Sequence, residues 1–246
     1  MIQVRVRARA GHWPGPAANL SERHGASFWG DNAQGRIAFT SFPATGYRSV
    51  TASANTPDSA LIPLDFRRSV PARQLGEPGP DDATLLRMLR SAVRVPDHGK
   101  RVPFRFLRIQ GDARARLGEA LAALTLQRDP AAGSAVVDKD RQRFTHAPLV
   151  VAVIAVLDPD DAQIPEQERL LSAGCVCFAL LQAAQSLGFG ANWITGWPAY
   201  DDQARRLLGV AAHERVAGFI HIGTPQLEAP ERERPDPAAL LTDLAL

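Results

Sequence analysis

The chain has 246 residues, of which 45% are hydrophobic and 22% charged, and its 28 basic and 26 acidic residues leave a net charge of +2. This length and composition indicate one globular domain, or a smaller domain with an appendage, and exclude a fibrous protein and one that is disordered throughout. Because the charges are mixed rather than gathered into blocks, the sequence does not favour nucleic acid as a partner.

Neither a membrane anchor nor a secretory signal is predicted. The longest apolar run, residues 149–157, is about half the roughly 18 residues that a membrane-spanning helix needs. The start carries arginines but no apolar stretch of about 7 to 15 residues, so we expect a cytoplasmic protein. Cys175 and Cys177 are the two cysteines; they suit neither a disulfide framework nor a structural zinc site, and Cys175 is expected inside an apolar helix, poorly reactive.

Residues 1–56 mix small and polar residues with isolated aromatics and hold neither helical nor strand periodicity for long. We expect this N-terminal extension to lack a core of its own and to precede a single domain over residues 57–246. Three explanations stay open: a disordered tail, an organelle-targeting segment, or sequence upstream of the true start. The abrupt onset of the structured pattern near Pro57 favours the last.

From that point the chain alternates helical and strand patterns. The apolar run at 149–157 is typical of a central strand covered on both faces, and a long helix follows that is apolar or small on nearly every side. Gly174 inside that helix is expected where another backbone packs closely. The order predicts an α+β domain whose sheet is covered by helices. In chain order, the predicted elements are helices at 58–69 and 81–94, a strand at 104–110, a helix at 112–124, a strand at 149–157, the long helix at 165–187, a strand at 191–195, a short helix at 201–208 and a strand at 216–222.

Several kinds of active site have no support in the sequence. It contains neither a G-x-G-x-x-G turn nor a P-loop, so no Rossmann or P-loop nucleotide site is predicted. It lacks a G-x-S-x-G elbow, and its six histidines have no partners at zinc-ligand spacing. His221, in an apolar strand, is expected to be a satisfied core residue. Neither a catalytic nucleophile nor a metal site is therefore predicted.

Three stretches carry groups suited to a planar, anionic ligand. The first is the R-R-S run at the end of the first helix, whose two guanidinium forks and hydroxyl suit a phosphate. The second is the loop 94–103, which is bracketed by prolines and carries a polar cluster with His98 and Lys100. The third is the strand end at 193–196, where Trp193 places an indole close to the Thr195 hydroxyl.

Together these stretches resemble the FMN-dependent nitroreductase superfamily, most closely its short, single-domain branch of NAD(P)H nitroreductases. The resemblance rests on motifs in the family's order over roughly residues 58–240, and the first 56 residues have no counterpart. The motifs are R-R-S at 67–69, L-x-x-M-L-x-x-A-x-R-x-P-D-H at 85–98, P-F-R-F at 103–106, S-A-G-C at 172–175, L-G-F-G-x-x-W-x-T-G at 187–196 and G-F-x-x-I-G-T-P at 218–225.

The resemblance implies a set of cofactor-binding residues and no obligatory catalytic side chain. The phosphate and ribityl chain of FMN would be bound by Arg67, Arg68 and Ser69, and Arg232 or Arg234 would add a cation at the phosphate. The flavin would be bound by Arg94 and His98 and by Trp193, Ile194 and Thr195. The nicotinamide nucleotide would be bound by the helix end, which comprises Ala183, Ala184, Gln185, Ser186, Leu187 and Gly188.

The resemblance also implies an architecture and a reaction. The fold would be a nitroreductase-like mixed sheet covered on both faces, with the long helix at the interface of a homodimer whose two chains contribute R-R-S and R-x-P-D-H to one flavin. A hydride would pass from NADH or NADPH through FMN to a nitro compound, quinone or similar acceptor in a ping-pong reaction. Two alternatives stay open: other flavin chemistry, such as dehalogenation or flavin fragmentation, and a non-enzymatic Arg-rich module that binds nucleotides or nucleic acid.

Overall fold

The computed structural model describes residues 61–245. The predicted N-terminal extension, the boundary near Pro57 and the start of the predicted first helix lie outside these residues. Among the residues described, no helix is both long and apolar enough to cross a bilayer. The elements in chain order are α1 (Ile62–Asp65), β1 (Leu75–Gly76), α2 (Asp82–Ala92), β2 (Phe104–Gln110), α3 (Asp112–Arg128), α4 (Ser134–Gln142), β3 (Leu149–Val156), α5 (Glu166–Ser186), β4 (Gly190–Ile194), α6 (Asp202–Leu207) and β5 (Glu214–Pro225).

The five strands form one sheet in the order β1-β5-β3-β2, and β4 pairs with β5 as well. Every strand pair within residues 61–245 is antiparallel, so the described part of the predicted mixed sheet contains no parallel pair. Single 3₁₀ turns connect some of the elements. The turn at His98–Lys100 lies in the predicted loop 94–103, and the turn at Trp197–Ala199 directly follows the strand end at 193–196. The α+β class is confirmed.

β3 is the central strand that its apolar run predicted, because seven of its eight residues are buried. Its alternate side chains enter two different cores, as the two-residue period of a strand requires. Val151 and Val153 face a core completed by α2 and α5. Val150 and Ile154 face a second core completed by α3 and α6, while α4 packs on α3. Helices therefore cover both faces of the sheet.

The first helix is much shorter than predicted, and this changes the geometry of the R-R-S run. α1 ends at Asp65, with Phe66 as its C-cap, so residues 67–69 lie beyond the helix. None of the residues of α1 is buried. A single turn without tertiary packing gains little from propagation, because helix nucleation is costly and most helical stability in proteins comes from packing. The segment therefore leaves the helix after one turn.

Most other predicted boundaries agree with the structure to within a few residues, which is the usual disagreement at element ends. Two helical features exceed the prediction: α3 continues to Arg128, and α4 was not predicted at all. Of the α4 side chains only Val137 and Asp140 are buried, so the segment has too few apolar positions to show a helical period.

α5 is the long helix that the sequence predicted, but one of its cysteines differs from the expectation. Cys177 is the buried thiol and Cys175 is exposed, whereas the apolar surroundings in sequence suggested that Cys175 would be inert. Burial raises the pKa of the Cys177 thiol to about 12. Gly188, with φ +84°, ends the helix in the left-handed conformation expected of a C-terminal glycine.

Candidate functional site

The R-R-S run is extended and sends alternate side chains in opposite directions. It lies beside β4, because the amide of Val70 donates to the carbonyl of Ala191 at 3.1 Å. Arg67 and Ser69 line one cleft, whereas Arg68 lines another together with Val70. The two guanidinium groups and the hydroxyl therefore do not form the single anion site that a helical end predicted. The difference follows from the early end of α1, because an extended chain alternates its side chains with a period of two.

The first of these clefts, which we call the Arg67 cleft, brings two of the predicted stretches together. Arg67 Nη1 donates to Ser69 Oγ at 3.2 Å, and Trp193 and Thr195 line the same space. Ile194, between them in sequence, does not. The cleft has a volume of about 640 Å³ and is lined by Arg67, Ser69, Phe178, Leu181, Trp193, Thr195, Tyr200 and Ala217.

Four residues of this lining were missed by the sequence analysis. Phe178 and Leu181 belong to the apolar middle of α5, where nothing distinguishes a side chain that faces a cleft from one that faces the core. Tyr200 follows the turn Trp197–Ala199 and is 70% exposed. Tyr200 lies four residues after the W-x-T-G motif, and the presence of an aromatic residue so near that motif is the one signal that could have identified it.

Trp193 forms an aromatic wall of the cleft, and two motif glycines lie against its ring. Its Nε1 donates to the carbonyl of Ala217 at 3.1 Å. A Cβ atom at Gly218 would lie 2.0 Å from Nε1, so the ring occupies the space that any side chain there would need. A Cβ at Gly174 would lie 4.0 Å from Cη2 of the same ring. Within residues 61–245 an indole edge rather than a backbone therefore lies nearest to Gly174, and packing of a partner's backbone there stays a prediction.

A buried ionic cluster supports the loop that follows Thr195. Gly196 has φ +80°, and its missing Cβ would lie 2.9 Å from Arg143 Nη1. The Arg143 guanidinium donates to Asp140 Oδ1 at 2.6 Å, and Trp197 Nε1 donates to the same oxygen at 2.9 Å. Burial tends to raise the pKa of the Asp140 carboxyl, but hydrogen bonds from Arg143, Trp197 and Thr125 outweigh it and hold that pKa below its ordinary value.

The second cleft, of about 540 Å³, lies on the Arg68 side of the run. Arg68 forms an ion pair with Glu231 of the C-terminal tail, and Gln185 Nε2 donates to the Arg68 carbonyl. Arg234 donates to Glu231 at 2.9 Å and to the Arg67 carbonyl at 3.4 Å. Of the two tail arginines considered from sequence, Arg234 is thus the one whose side chain reaches the R-R-S run.

The helix end at 183–188 does not present one continuous surface. Ala184 is fully buried. Ala183, Ser186 and Leu187 line a groove against α2, whereas Gln185 and Gly188 line the second cleft. Helical geometry distributes consecutive residues around the axis in this way, so a ligand that contacts all six implied residues would have to reach into the core.

Arg94 and His98 do not line the Arg67 cleft of their own chain. His98 Nδ1 lies 2.7 Å from Glu168 Oε2 at the start of α5. The Arg94 side chain forms no ion pair or hydrogen bond with residues 61–245. The structure thus joins the first and third predicted stretches in one cleft and leaves the second apart within one chain.

The described part of the chain contains no cluster of three or more histidine, cysteine or acidic side chains that could hold a metal ion. His221 is buried as predicted, and burial lowers its pKa to about 4. Its Nδ1 nevertheless lacks a hydrogen-bond partner among residues 61–245, so the expectation of a satisfied histidine is not confirmed.

Comparison with known proteins gives consistent results. Residues 64–224 match the family described as "Nitroreductase family". The Escherichia coli K12 protein named "Putative NAD(P)H nitroreductase YdjA" is 35% identical over 186 residues, which are 74% of this chain and 98% of that protein. A nitroreductase-like family protein from Bacillus cereus superposes with a TM-score of 0.63 at 22% identity, covering 82% of this chain and 99% of the other. A Bacteroides fragilis nitroreductase with bound FMN superposes with a TM-score of 0.57 at 20% identity, covering 77% of this chain and 100% of the other.

Proposed function

The chain belongs to the nitroreductase family, and from that premise we propose that it is an oxidoreductase that holds FMN in the Arg67 cleft. In the proposed reaction a hydride passes from NADH or NADPH through the flavin to a nitro compound, a quinone or a similar electron-poor acceptor. The observation that carries the proposal is the meeting of Arg67, Ser69, Trp193 and Thr195 in one cleft, because they come from separate parts of the sequence.

The residues of the Arg67 cleft fit the two ends of FMN. Arg67 and Ser69 offer a guanidinium and a hydroxyl to a phosphate, and charge-assisted hydrogen bonds of this kind are the strong ones. Trp193 and Phe178 offer flat, polarisable walls to an aromatic ring system. Bound FMN is also present in the Bacteroides fragilis relative of the same fold. Arg234, held close to the Arg67 carbonyl, is the tail residue best placed to add positive charge.

FMN, when bound, supplies the redox chemistry and serves the nicotinamide and the acceptor in alternation, which gives ping-pong kinetics. The chain itself provides positive charge from Arg67 and a hydroxyl donor from Thr195 at the rim of an aromatic slot. Positive charge close to a flavin stabilises its reduced, anionic form. Among residues 61–245, no acidic residue lines the Arg67 cleft, so its electrostatics favour an anionic cofactor and an electron-rich product.

A homodimer completes this proposal. Several large apolar side chains of α2, of its C-cap residue and of α5 are exposed on a single chain, and a self-complementary contact would cover them. They are Leu86, Val93, Leu170, Leu171 and Phe178. Because Arg94 and His98 do not reach the Arg67 cleft of their own chain, we propose that they reach the flavin of a second copy.

Replacing Arg67 tests the proposal directly. Loss of its charge-assisted hydrogen bonds, at about 1.5–3 kcal/mol in total, would weaken FMN binding about 10- to 150-fold in Arg67→Ala. Flavin fluorescence quenching on titration into apoprotein measures that affinity. Arg73→Ala is the matched control, because Arg73 is a nearby arginine that is exposed on the following 3₁₀ turn and does not line the Arg67 cleft. Wild-type FMN affinity in Arg67→Ala would contradict the phosphate assignment, and colourless protein that never takes up FMN would contradict the function.

A further inference from the structure

The loop between α2 and β2 is held in an unusual backbone conformation. Gly99, Lys100 and Val102 have φ values of 68°, 54° and 50°. Glycine adopts this left-handed region readily, but for a β-branched residue such as Val102 it is a genuine outlier. Conformations of this kind persist only where the surrounding structure over-determines them, and they cluster at functional sites.

The surrounding contacts do over-determine this loop. The Asp97 carboxylate accepts hydrogen bonds from the amides of Arg101, at 3.1 Å, and Val102, at 2.8 Å. Ser172 Oγ, from the middle of α5, donates to the Pro96 carbonyl at 2.8 Å. Asp97 is thus used within the loop, and the groups left to face outward are the basic ones.

His98 is an outward-facing side chain whose orientation is set by a contact with α5. Glu168 belongs to the first turn of α5, and its Oε2 lies 2.7 Å from His98 Nδ1. The two side chains are 63% and 45% exposed, and ion pairs at such exposure contribute little to the stability of a fold. The contact instead determines which ring nitrogen carries the hydrogen in the neutral imidazole, because the hydrogen bond made by one nitrogen determines whether the other donates or accepts.

We infer that Glu168 is a positioning residue that turns His98 Nδ1 inward and presents Nε2 to the flavin held by a second copy of the chain. With Nδ1–H donated to Glu168, Nε2 is a hydrogen-bond acceptor while the ring is neutral and a donor when the ring is protonated. The isoalloxazine edge carries both an N–H and carbonyl oxygens, so either state finds a partner. The inference rests on the proposed function, because it requires His98 to contact FMN.

A double-mutant cycle on the full-length dimer separates positioning from a structural role. Glu168→Ala weakens FMN binding by about two- to fivefold, in the range expected for an exposed pair. In a His98→Ala background the same change has less than about a twofold effect, because Glu168 then has no ring to orient. Glu166→Ala is the matched control, since Glu166 is exposed in the same turn and forms no ion pair within the described part of the chain. FMN itself is the probe, in a fluorescence titration.

A spectroscopic measurement gives an independent result. In wild-type protein the imidazole ¹⁵N shifts of His98 report protonation at Nδ1, and Glu168→Ala shifts the neutral ring toward the Nε2-protonated tautomer. An equal loss of FMN affinity from Glu168→Ala with and without His98, or an unchanged tautomer, would overturn the inference while leaving the proposed function intact. If His98→Ala binds FMN like wild type, the inference fails together with the proposed role of His98, whereas Arg67→Ala still tests the cleft.

Discussion

Gly218→Ala is the substitution for which the structure gives the sharpest expectation. The added Cβ would lie 2.0 Å from Trp193 Nε1, whereas ordinary contacts begin at 3.4 Å, so the indole would have to retreat by about 1.4 Å. Overpacking of this kind costs about 1–3 kcal/mol. Loss of the hydrogen bond from Nε1 to the Ala217 carbonyl adds about 0.5–1.5 kcal/mol. We expect the free energy of unfolding to fall by about 2–4 kcal/mol, and FMN affinity to fall with it, because Trp193 is a wall of the Arg67 cleft.

Urea unfolding followed by circular dichroism measures this effect, and Gly174→Ala is its control. The Cβ at Gly174 would meet the same ring at 4.0 Å, an ordinary contact. Alanine there should raise the free energy of unfolding by about 0.5–1 kcal/mol, since glycine is a poor residue inside a helix. Equal urea midpoints for wild type and Gly218→Ala, or equal losses in both variants, would refute the close packing of Trp193 between the two glycines.

Three further outcomes follow from the structure. Asp140→Asn should lower the free energy of unfolding at pH 7 by about 3 kcal/mol, because it leaves Arg143 without its buried partner. Since folding lowers the pKa of Asp140, the carboxylate's stabilisation is present above the ordinary pKa of 3.8 and is lost as the pH falls below it. Unfolding curves from pH 6 to pH 3 should therefore show a loss of stability in the wild type that the variant does not show. Titration with a thiol reagent at pH 7 should modify Cys175 in the folded protein and Cys177 only after denaturation; rapid modification of both would contradict the burial of Cys177. Deleting residues 1–56 should leave FMN content and oligomer size unchanged, because the family match begins at residue 64. Aggregation or cofactor loss on gel filtration would contradict the expectation that this extension is dispensable.

The sequence predicted the parts of the fold in which local pattern and tertiary role coincide. The run at 149–157 is apolar throughout because β3 is buried between two cores, so a continuous pattern was a direct consequence of its position. The long helix and its C-terminal glycine were likewise predicted by composition and chain geometry. The pairing order of the strands was not predicted, because antiparallel neighbours distant in sequence leave no local signal.

In the candidate site, residue types were predicted better than directions. Arg67, Ser69, Trp193 and Thr195 were selected from motifs, and they do share a cleft. Arg68 was assigned to the same ligand, but its direction depended on where α1 ends, which is set by missing tertiary packing rather than by sequence pattern.

Residues whose roles depend on partners far away in the sequence were still harder to predict. Asp140 lies in a charged stretch that resembles a solvated surface, yet it is buried against Trp197 and Arg143. Glu168 is one of two glutamates at the start of α5, where acidic residues are common in any case. Its pairing with His98 joins positions 70 residues apart, and only the folded chain brings them together.

The run from Arg67 to Val70 is a wall shared by two clefts, and this makes chain length there more critical than residue identity. A substitution alters one cleft and leaves the other as it was. A deletion or insertion of one residue would shift every following side chain to the opposite side, so that the electrostatic character of the two spaces would be interchanged at once. We therefore expect this short segment to accept changes of residue type far more readily than any change in its number of residues.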